Sequence, residues 1–358
     1  MSAVTTRTVS ADEEGMRLDR WFKTHFPDLS FGHLQKLLRT GQVRLDGGRA
    51  KAETRIEPGQ VVRIPPLEKA MEPTPVEPGI RYAGEAPKAA AAAASAKPVS
   101  AKPGKGGPKD DAAFLKSITL YEDKDLMVLN KPYGIAVQGG SGMTRHIDGM
   151  LEALRDKEGV KPRLVHRLDK DTAGCLIVAK SRLAASTLAK TFRSRAARKI
   201  YWALVPGVPK VKQGRVSTWL AKGTDAHGDQ KMKVAKHGDE GADHALTYYA
   251  VVDTAAQKLS WVSLKPVTGR THQLRVHTAE IGHPIVGDPK YFDKENWQLP
   301  GGIQNRLHLL ARRIVIPHPR DGRLLDVSAP LPPHMLQSWN LLGFDTGQYD
   351  PIENAPEK

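Results

Sequence analysis

The residues of this chain that could do chemistry are concentrated in a short stretch, residues 164 to 180. An apolar pair enters the stretch and a strand-like run, residues 175 to 179, leaves it, so the polar residues between them form a turn. Turns between rigid elements often hold reactive groups. This turn carries Asp169 and Asp171. Two carboxylates can act together in a glycoside hydrolase, or Asp171 can simply cap a following element.

Two further segments, residues 130 to 134 and residues 269 to 288, hold polar side chains that could join this turn. The second contains His272, His277 and His283, which invite a zinc site. No cysteine accompanies them, and their spacings of five and six residues suit no helical pair of ligands. We therefore expect hydrogen-bonding or packed histidines and no metal. A serine hydrolase also fits poorly, because the chain has no Gly-x-Ser-x-Gly elbow.

The elements that must position these segments lie in a large domain expected at residues 114 to 345. Short β-rich runs recur along it, and helical patterns fall near residues 146 to 157 and 181 to 195. This mixture predicts an α+β domain with a mixed, mostly antiparallel β-sheet flanked by helices. No glycine-rich phosphate loop follows a strand, so we expect no nucleotide cofactor.

A smaller unit is expected at residues 10 to 65, where Leu18, Trp21, Phe22 and Phe26 recur at helical spacing. Ser30 can cap a second helix, and short strands follow it, so two small helices and a short sheet are predicted. Residues 66 to 113 are rich in Ala, Pro, Lys and Gly and indicate a flexible basic tether. The polar residues 346 to 358 are expected to form a loose tail.

The charge of the chain predicts its partners. Its 54 basic and 39 acidic residues give a net charge of +15 and a pI near 9.7. So large an excess attracts polyanions, with nucleic acid as the first candidate and an anionic membrane surface as the second. One cysteine allows no internal disulfide, and we expect Cys175 to be a packed core thiol. No apolar run is long enough to span a membrane, and no secretory signal begins the sequence, which favours a cytoplasmic protein.

The large domain resembles the pseudouridine synthase family that acts on structured RNA, in its RluA/RluC/RluD group. Four motifs of that group match in order and spacing over roughly residues 118 to 330. They are Asn130, Lys131, Pro132 and Gly134; His166, Arg167, Leu168, Asp169, Thr172 and Gly174; Lys199, Tyr201 and Ala203; and residues 269 to 277 with Pro284, Gly287, Asp288 and Tyr291. Residues 138 to 142 look most like the RluC branch, and Ala173 stands where serine is usual.

Residues 17 to 64 resemble the S4-type RNA-binding domain that often precedes this catalytic domain. The matching residues are Arg17, Leu18, Asp19, Pro27, Ser30, Gly41, Val43, Pro58, Gly59 and Gln60. Phe31 and Gly32 depart from the pattern, because a basic residue is common after the position of Ser30. The expected tether is also long for the family.

The resemblance implies that uridine in RNA, most readily large-subunit ribosomal RNA, is isomerised to pseudouridine without a cofactor. Asp169 is then the nucleophile or charge stabiliser at the sugar carbon, and Arg275 is the counter-charge that keeps it ionised. Tyr201 is assigned to the catalytic group, as the ring that packs on the uracil or as a group that helps to remove the C5 proton. A free tyrosine with a pKa of about 10 is a poor base at neutral pH, so a proton-transfer role would need help from a neighbour. Arg167 is assigned to the flipped-out nucleotide or its phosphate, and Leu274 to the apolar wall of the site.

Lys131 and His166 complete the predicted site as substrate-binding residues, with a framework role as the alternative. A basic run is interpreted either as a solvated helix face or as a phosphate-binding surface. It contains Arg182, Lys190, Arg193, Arg195, Arg198 and Lys199. The expected partner is structured RNA, bound by a monomer. A non-catalytic RNA-binding or ribosome-assembly factor on the same scaffold is the competing hypothesis.

Overall fold

The computed structural model describes residues 4–26, 29, 34, 37–67, 81–82, 107–140, 145–224, 230–293, 295, 297 and 299–356. The chain divides into two units, Met1–Val76 with Thr346–Tyr349, and Glu77–Asp345 with Asp350–Lys358. Most of the tether expected at residues 66 to 113 lies outside the described residues. Among the residues that are described, no helix is both long and apolar enough to cross a membrane.

The first unit contains a four-stranded sheet. Its strands are β1 (Thr5–Thr8), β2 (Arg44–Leu45), β3 (Gly48–Arg49) and β4 (Val61–Ile64), and their order is β1-β4-β2-β3. Helix α1 (Leu18–His25) follows a 3₁₀ turn at Ala11–Glu13. The first unit was expected to start at residue 10, but it starts earlier in the chain. All four residues of β1 pair with β4 and so belong to the sheet.

The helical spacing predicted for the first unit is confirmed. Leu18, Trp21 and Phe22 lie on one face of α1 and are buried in a single cluster with Val43 and Val62. Burying three such side chains against the sheet stabilises each by about 1.5–3 kcal/mol. The second helix expected after Ser30 lies partly outside the described residues, but Leu34 and residues 37–39 are helical.

The second unit is built on a twelve-stranded sheet. The central order is β12-β11-β13-β14-β10-β15-β9-β7-β6, with β16 beside β15, β5 beside β16, and β8 beside β9. Every pairing is antiparallel except that of β9 with β15. The strands are β5 (Arg81–Tyr82), β6 (Thr119–Glu122), β7 (Leu126–Lys131), β8 (Arg163–Leu164), β9 (Ala173–Ala179), β10 (Arg198–Pro206), β11 (Gln213–Thr224), β12 (Gln230–Ala235), β13 (Asp243–Ala255), β14 (Leu259–Pro266), β15 (Leu309–Pro317) and β16 (Leu324–Ser328). The predicted mixed, mostly antiparallel sheet is confirmed.

Helices cover both faces of this sheet. They are α2 (Pro108–Ser117), α3 (Ile147–Met150), α4 (Arg182–Arg193), α5 (Gln273–Glu280) and α6 (Pro333–Leu342). α2 begins six residues before the predicted domain start at residue 114, because Pro108 and the acidic residues after it are favourable in a first helical turn. α5 and α6 were not predicted, since α5 is buried on nearly all sides and so lacks an amphipathic pattern.

Strand β9 forms the centre of the second unit, and all seven of its residues are buried. Successive side chains of a strand point to opposite faces. Cys175 and Ile177 accordingly join the core that contains α4 and α6, whereas Leu176 and Val178 join the core that contains α2 and α3. Cys175 is 2% exposed and is the packed core thiol that was expected. A strand fixed on both faces is a rigid support for the turn that precedes it.

The loose tail predicted from residue 346 onward is wrong for residues 350 to 355. Asp350 accepts hydrogen bonds from the Trp202 indole (2.9 Å) and the Ser263 hydroxyl (2.6 Å), and Ile352 is 1% exposed. Glu353 accepts a hydrogen bond from Arg198 at 2.7 Å. Polar composition suggested a solvated tail, but these polar groups find partners on β10 and β14, and Ile352 is part of the core.

Candidate active site

The turn between β8 and β9 is held from below by a buried lysine. Lys131, at the end of β7, is 0% exposed, and its ammonium donates to the carbonyls of Pro132 (2.9 Å), Ile135 (2.7 Å) and Lys170 (2.8 Å). Burial lowers the pKa of Lys131 to about 7, although the charges of Asp171 and Asp169 oppose this. The three hydrogen bonds tie the chain after β7 to the turn that carries Asp169.

Gly174 fixes the other end of the turn, where β9 lies beside β15. Its φ is +109°, and a Cβ built on it would lie 2.3 Å from the Ala311 carbonyl oxygen. No side chain can occupy that space, and L-residues rarely adopt that φ. Between these supports the turn is closed by a hydrogen bond from the Thr172 amide to the Asp169 carbonyl, 3.2 Å.

Asp169 faces Arg275, as the sequence predicted. Arg275 Nη1 lies 3.3 Å from Asp169 Oδ2, with the arginine side chain 6% exposed and that of Asp169 22% exposed. Arg275 belongs to α5, which is separated from the turn by about a hundred residues of chain. The guanidinium thus places a positive charge beside a carboxylate that is only partly exposed.

Asp288 orients Arg275, and sequence reasoning missed this role. Its two oxygens accept hydrogen bonds from Arg275 Nε and Nη2, both at 2.7 Å, so that Nη1 is left for Asp169. Burial disfavours the charge of Arg275, but the hydrogen bonds and charges of Asp288 and Asp169 outweigh it and raise the pKa of Arg275. Asp288 is itself fixed by the Lys290 and Tyr291 amides. A bidentate pair of this kind sets direction as well as charge.

His272 also lies beside Asp169. It adopts a left-handed backbone conformation (φ 53°) at the start of α5, and its Nε2 is 3.9 Å from Asp169 Oδ2. Its Nδ1 lies 3.1 Å from the Tyr291 hydroxyl. Burial lowers the pKa of His272, with Asp169 acting in the opposite direction, so the ring is neutral at pH 7. From the sequence, His272 was expected to be a hydrogen-bonding or packed histidine rather than a zinc ligand, and its position beside Asp169 was not predicted.

The three histidines considered for zinc have separate hydrogen-bond partners. His277 contacts the Thr218 and Thr247 hydroxyls, each at 2.9 Å, and His283 contacts the Pro206 carbonyl at 2.8 Å. Among the described residues, the only group with ligand atoms close enough for a metal is a different one. It consists of Asp123, Asp125 and His318. Arg320 already binds both oxygens of Asp125 at 2.6 Å.

Tyr201 lies on β10 and lines the same cleft as Asp169. Its side chain is partly buried between two apolar clusters. Burial raises the pKa of Tyr201 well above its usual range, and the charge of Asp169 raises it further. The phenol is therefore protonated at neutral pH and is not a base in the resting site.

A cleft of about 580 Å³, here called the main cleft, brings most of the predicted site together. Asp169, Tyr201 and Arg275 line it with Arg167, His166 and Leu274. A second cleft of about 340 Å³ opens on the other side of Asp169. Asp171 lines only the second cleft and makes no hydrogen bond with a described side chain, so Arg275 rather than Asp171 is the partner of the Asp169 carboxylate.

Two predicted substrate-binding residues occupy framework positions. Lys131 is fully buried, so its ammonium has no surface to offer to RNA, and the substrate-binding assignment is corrected for this residue. His166 lines the main cleft, but its Nε2 accepts a hydrogen bond from the Ile177 amide at 2.8 Å and its ring stacks on Phe192. Burial and then the charge of Lys199 lower the pKa of His166 to about 3, so it carries no charge for a phosphate.

Comparisons with known proteins give the site its context. Residues 125–280 match the family model described as RNA pseudouridylate synthase. The chain is 35% identical over 342 residues to the ribosomal large subunit pseudouridine synthase C of Pasteurella multocida, covering 93% of this chain and 92% of that protein. It is 35% identical over 328 residues to the protein of the same name from Escherichia coli K12, covering 90% and 92%.

Solved structures agree with these sequences. The human RNA pseudouridylate synthase domain containing 4 superposes with a TM-score of 0.55 at 29% identity, over 66% of this chain and 96% of that one. The human RNA pseudouridylate synthase domain containing 1 gives 0.50 at 26% identity, over 65% and 90%. The resemblance to the pseudouridine synthase family and the α+β fold class expected from the sequence are both confirmed.

Proposed function

Since this chain belongs to the RNA pseudouridylate synthase family, we propose that it isomerises specific uridines of large-subunit ribosomal RNA to pseudouridine. The chain is an enzyme of that family, and the curated relatives it matches are named for the large ribosomal subunit. One observation carries the site assignment: Asp169 lies in the main cleft, 3.3 Å from an arginine that a second carboxylate, Asp288, holds in place.

Asp169 is the group that acts on the sugar. The target uridine leaves its stack and enters the main cleft, at a cost of about a few kcal/mol that RNA contacts elsewhere must offset. The carboxylate attacks C1′ or stabilises positive charge there while the N1–C1′ bond breaks. Uracil then turns, C5 bonds to C1′, the C5 proton is lost and N1 gains a proton. All atoms of the uridine are kept, so the reaction needs no redox partner and no transferred group.

Arg275 places a positive charge beside the Asp169 carboxylate, 3.3 Å away. A guanidinium within hydrogen-bond reach favours the charged carboxylate in a partly dry cleft. Because Asp288 occupies two of its donors, Arg275 cannot turn away from Asp169 without breaking a buried ion pair. The arrangement supports a pairing of Asp169 with Arg275 that is in place before the substrate arrives.

Tyr201, Leu274 and Arg167 are proposed to hold the nucleotide. The Tyr201 ring supplies a flat apolar surface for the uracil, and Leu274, 8% exposed, supplies a wall of the same cleft. Arg167 is exposed, lines both clefts and makes no side-chain hydrogen bond or ion pair with another described residue. A free guanidinium at that junction suits a phosphate of the flipped nucleotide.

The first unit is proposed to be an S4-type RNA anchor. Its Arg39, Arg49, Lys51 and Arg55 are exposed, which supports binding to a phosphate backbone. We further propose that the enzyme acts in the cytoplasm as a monomer, which sizing chromatography of the full chain would test. The tether between the units would raise the effective concentration of the catalytic unit near a bound RNA.

The decisive experiment combines mapping with a nucleophile variant. Carbodiimide mapping of large-subunit ribosomal RNA from cells that lack the protein should show missing pseudouridines, and re-expression of the wild type should restore them. Asp169→Asn should restore none and should lower isomerisation in vitro by at least about 1,000-fold, with RNA affinity within a few-fold of wild type. If all pseudouridines persist without the protein, the ribosomal substrate is excluded. If the variant stays active, Asp169 is not the nucleophile.

A further inference from the structure

An arginine follows α4 in a backbone conformation that arginine rarely adopts. Ser194 caps the helix, and Arg195 comes next with a φ of 62°. The Ala196 amide donates to the Thr191 carbonyl (3.1 Å) and the Arg195 amide to the Phe192 carbonyl (3.3 Å). These are the two hydrogen bonds of a Schellman helix end, in which the left-handed position usually belongs to glycine. The chain keeps arginine where glycine would be less strained.

The side chain of Arg195 has no partner that explains this choice. It is exposed, lines the main cleft and makes no ion pair or side-chain hydrogen bond with another described residue. Lys199, the nearby cation on β10, lines the same cleft and likewise has no such partner. The only carboxylate among the described residues that line this cleft is Asp169, which already faces Arg275. Arg195 and Lys199 therefore line the cleft without a carboxylate partner.

The positive charges of Arg195 and Lys199 repel each other in the absence of a bound anion. Burial lowers the pKa of Lys199, and the charge of Arg195 lowers it further. Lys199 in turn contributes to the lowered pKa of His166, which leaves that ring neutral. Like charges held close together without a counter-ion destabilise a folded protein unless an anion binds between them.

The helix dipole does not account for the arrangement. A cation near a helix C-terminus is favourable, but Lys190 and Arg193 already occupy the last turn of α4. The helix dipole stabilises any positive charge near the helix end, so it does not explain why an arginine adopts a left-handed conformation. It also does not explain Lys199, which belongs to strand β10. Strained residues that the surrounding structure maintains are often found where a ligand binds.

We propose that Arg195 and Lys199 form a binding site for an RNA backbone phosphate next to the target nucleotide. The inference rests on the proposed function, since Lys199 and Tyr201 are two residues apart on β10 and point to the same side of that strand. A base packed on Tyr201 leaves its own backbone in the same cleft, which Arg195 and Lys199 also line. The guanidinium and the ammonium then each gain a charge-assisted hydrogen bond.

The test uses a variant that removes the charge and relieves the strain at once. Arg195→Gly should raise the melting temperature by about 2–4 °C, because glycine accepts this φ. The same variant should weaken RNA binding by about three- to tenfold and make the slope of log K against log salt smaller by about 0.7, the value for one phosphate contact on a single strand. Arg195→Lys should keep most of the affinity and the slope.

Two controls keep the result interpretable. Arg182→Gln removes one exposed charge from the first turn of the same helix, outside the main cleft, and should leave both affinity and salt slope near wild type. Lys199→Gln should repeat the loss seen with Arg195→Gly, and the double variant should lose less than the sum, as expected for two residues on one ligand.

The outcomes separate this inference from the proposed function. If Arg195→Gly binds RNA as Arg182→Gln does, with an unchanged salt slope, the phosphate site is refuted while the isomerase stands. If Arg195→Gly weakens RNA binding but the wild type forms no pseudouridine in any ribosomal RNA, the site stands and the proposed function is lost. If Arg182→Gln and Arg195→Gly weaken RNA binding equally, the affinity depends only on the net charge of the protein. Non-specific electrostatic attraction then explains the data, and the proposal fails.

Discussion

The floor and the mouth of the main cleft are built on opposite principles. In the floor, hydrogen bonds join Asp169 to Arg275 and Arg275 to Asp288. The buried Lys131 donates to the backbone carbonyl of Lys170 in the same turn. The mouth is defined here by four cations that line the cleft: Arg167, Arg193, Arg195 and Lys199. None of them has an ion-pair partner among the described residues. The floor is organised before RNA binds, and the mouth carries the charge that RNA is to neutralise. Changes in the floor should therefore alter rate and stability, and changes at the mouth should alter affinity.

Asp288→Asn should show the largest effect, because it removes a charge that the buried Arg275 needs. Breaking a buried pair from one side lowers the free energy of unfolding by about 3–5 kcal/mol, and the amide will recover part of this. With Arg275 no longer held toward Asp169, kcat should fall by about 100-fold or more while the Kd for RNA changes less than threefold. Urea denaturation and single-turnover assays measure the two quantities.

Asp293→Asn is the matched control for that experiment, since Asp293 is exposed on the same segment. It should leave both the unfolding free energy and kcat near wild type. A normal kcat in Asp288→Asn would show that Arg275 needs no second carboxylate. The hypothesis that Asp288 orients Arg275 for the reaction would then be refuted.

Lys131→Met should change how stability depends on pH. Burial lowers the folded-state pKa of Lys131 to about 7, whereas an unfolded lysine titrates near 10.4. Between these values the unfolded chain binds more protons than the folded one, so this group makes stability rise with pH from about 7 to about 10. The variant should lose that rise, which denaturation at a series of pH values would detect. An equal slope in both proteins would mean that Lys131 keeps its proton when folded.

Arg167→Ala should have the smallest effect on the protein and a measurable one on binding. Because this guanidinium is exposed, the free energy of unfolding should change by less than about 0.5 kcal/mol. RNA affinity should weaken by about three- to tenfold, with a shallower salt dependence. Filter binding at several salt concentrations tests this. A loss of stability, or an unchanged affinity for RNA, would show that Arg167 does not act as a binding residue of the cleft.

Sequence predicted the reacting groups better than it predicted what holds them. Periodicity identified β9 and α4, and the family motifs joined Asp169 to Arg275 across about a hundred residues of chain. The role of Asp288 was not predicted, because an aspartate after a glycine looks the same whether it faces solvent or a buried guanidinium. Its place within the same motif as Arg275 was the available signal.

The remaining errors concern polar residues that become buried. Lys131 was predicted from its family motif to bind the substrate, with a framework role as the alternative, and its full burial favours the framework role. Its three acceptors are backbone carbonyls, which carry no sequence signature. Residues 350 to 355 were expected to be loose for the same reason, since the partners of Asp350 are Trp202 and Ser263, far away in the chain. Which polar groups find partners is decided by tertiary packing, not by composition.

The parallel contact between β9 and β15 has a consequence for the order of events in folding. Gly174 lies against Ala311, so the turn that carries Asp169 gains its second support only when a strand made 137 residues later has docked. Contacts so distant in sequence are slow to form, because a long loop must close first. A nascent chain that has not yet reached β15 therefore lacks this support for its reactive turn.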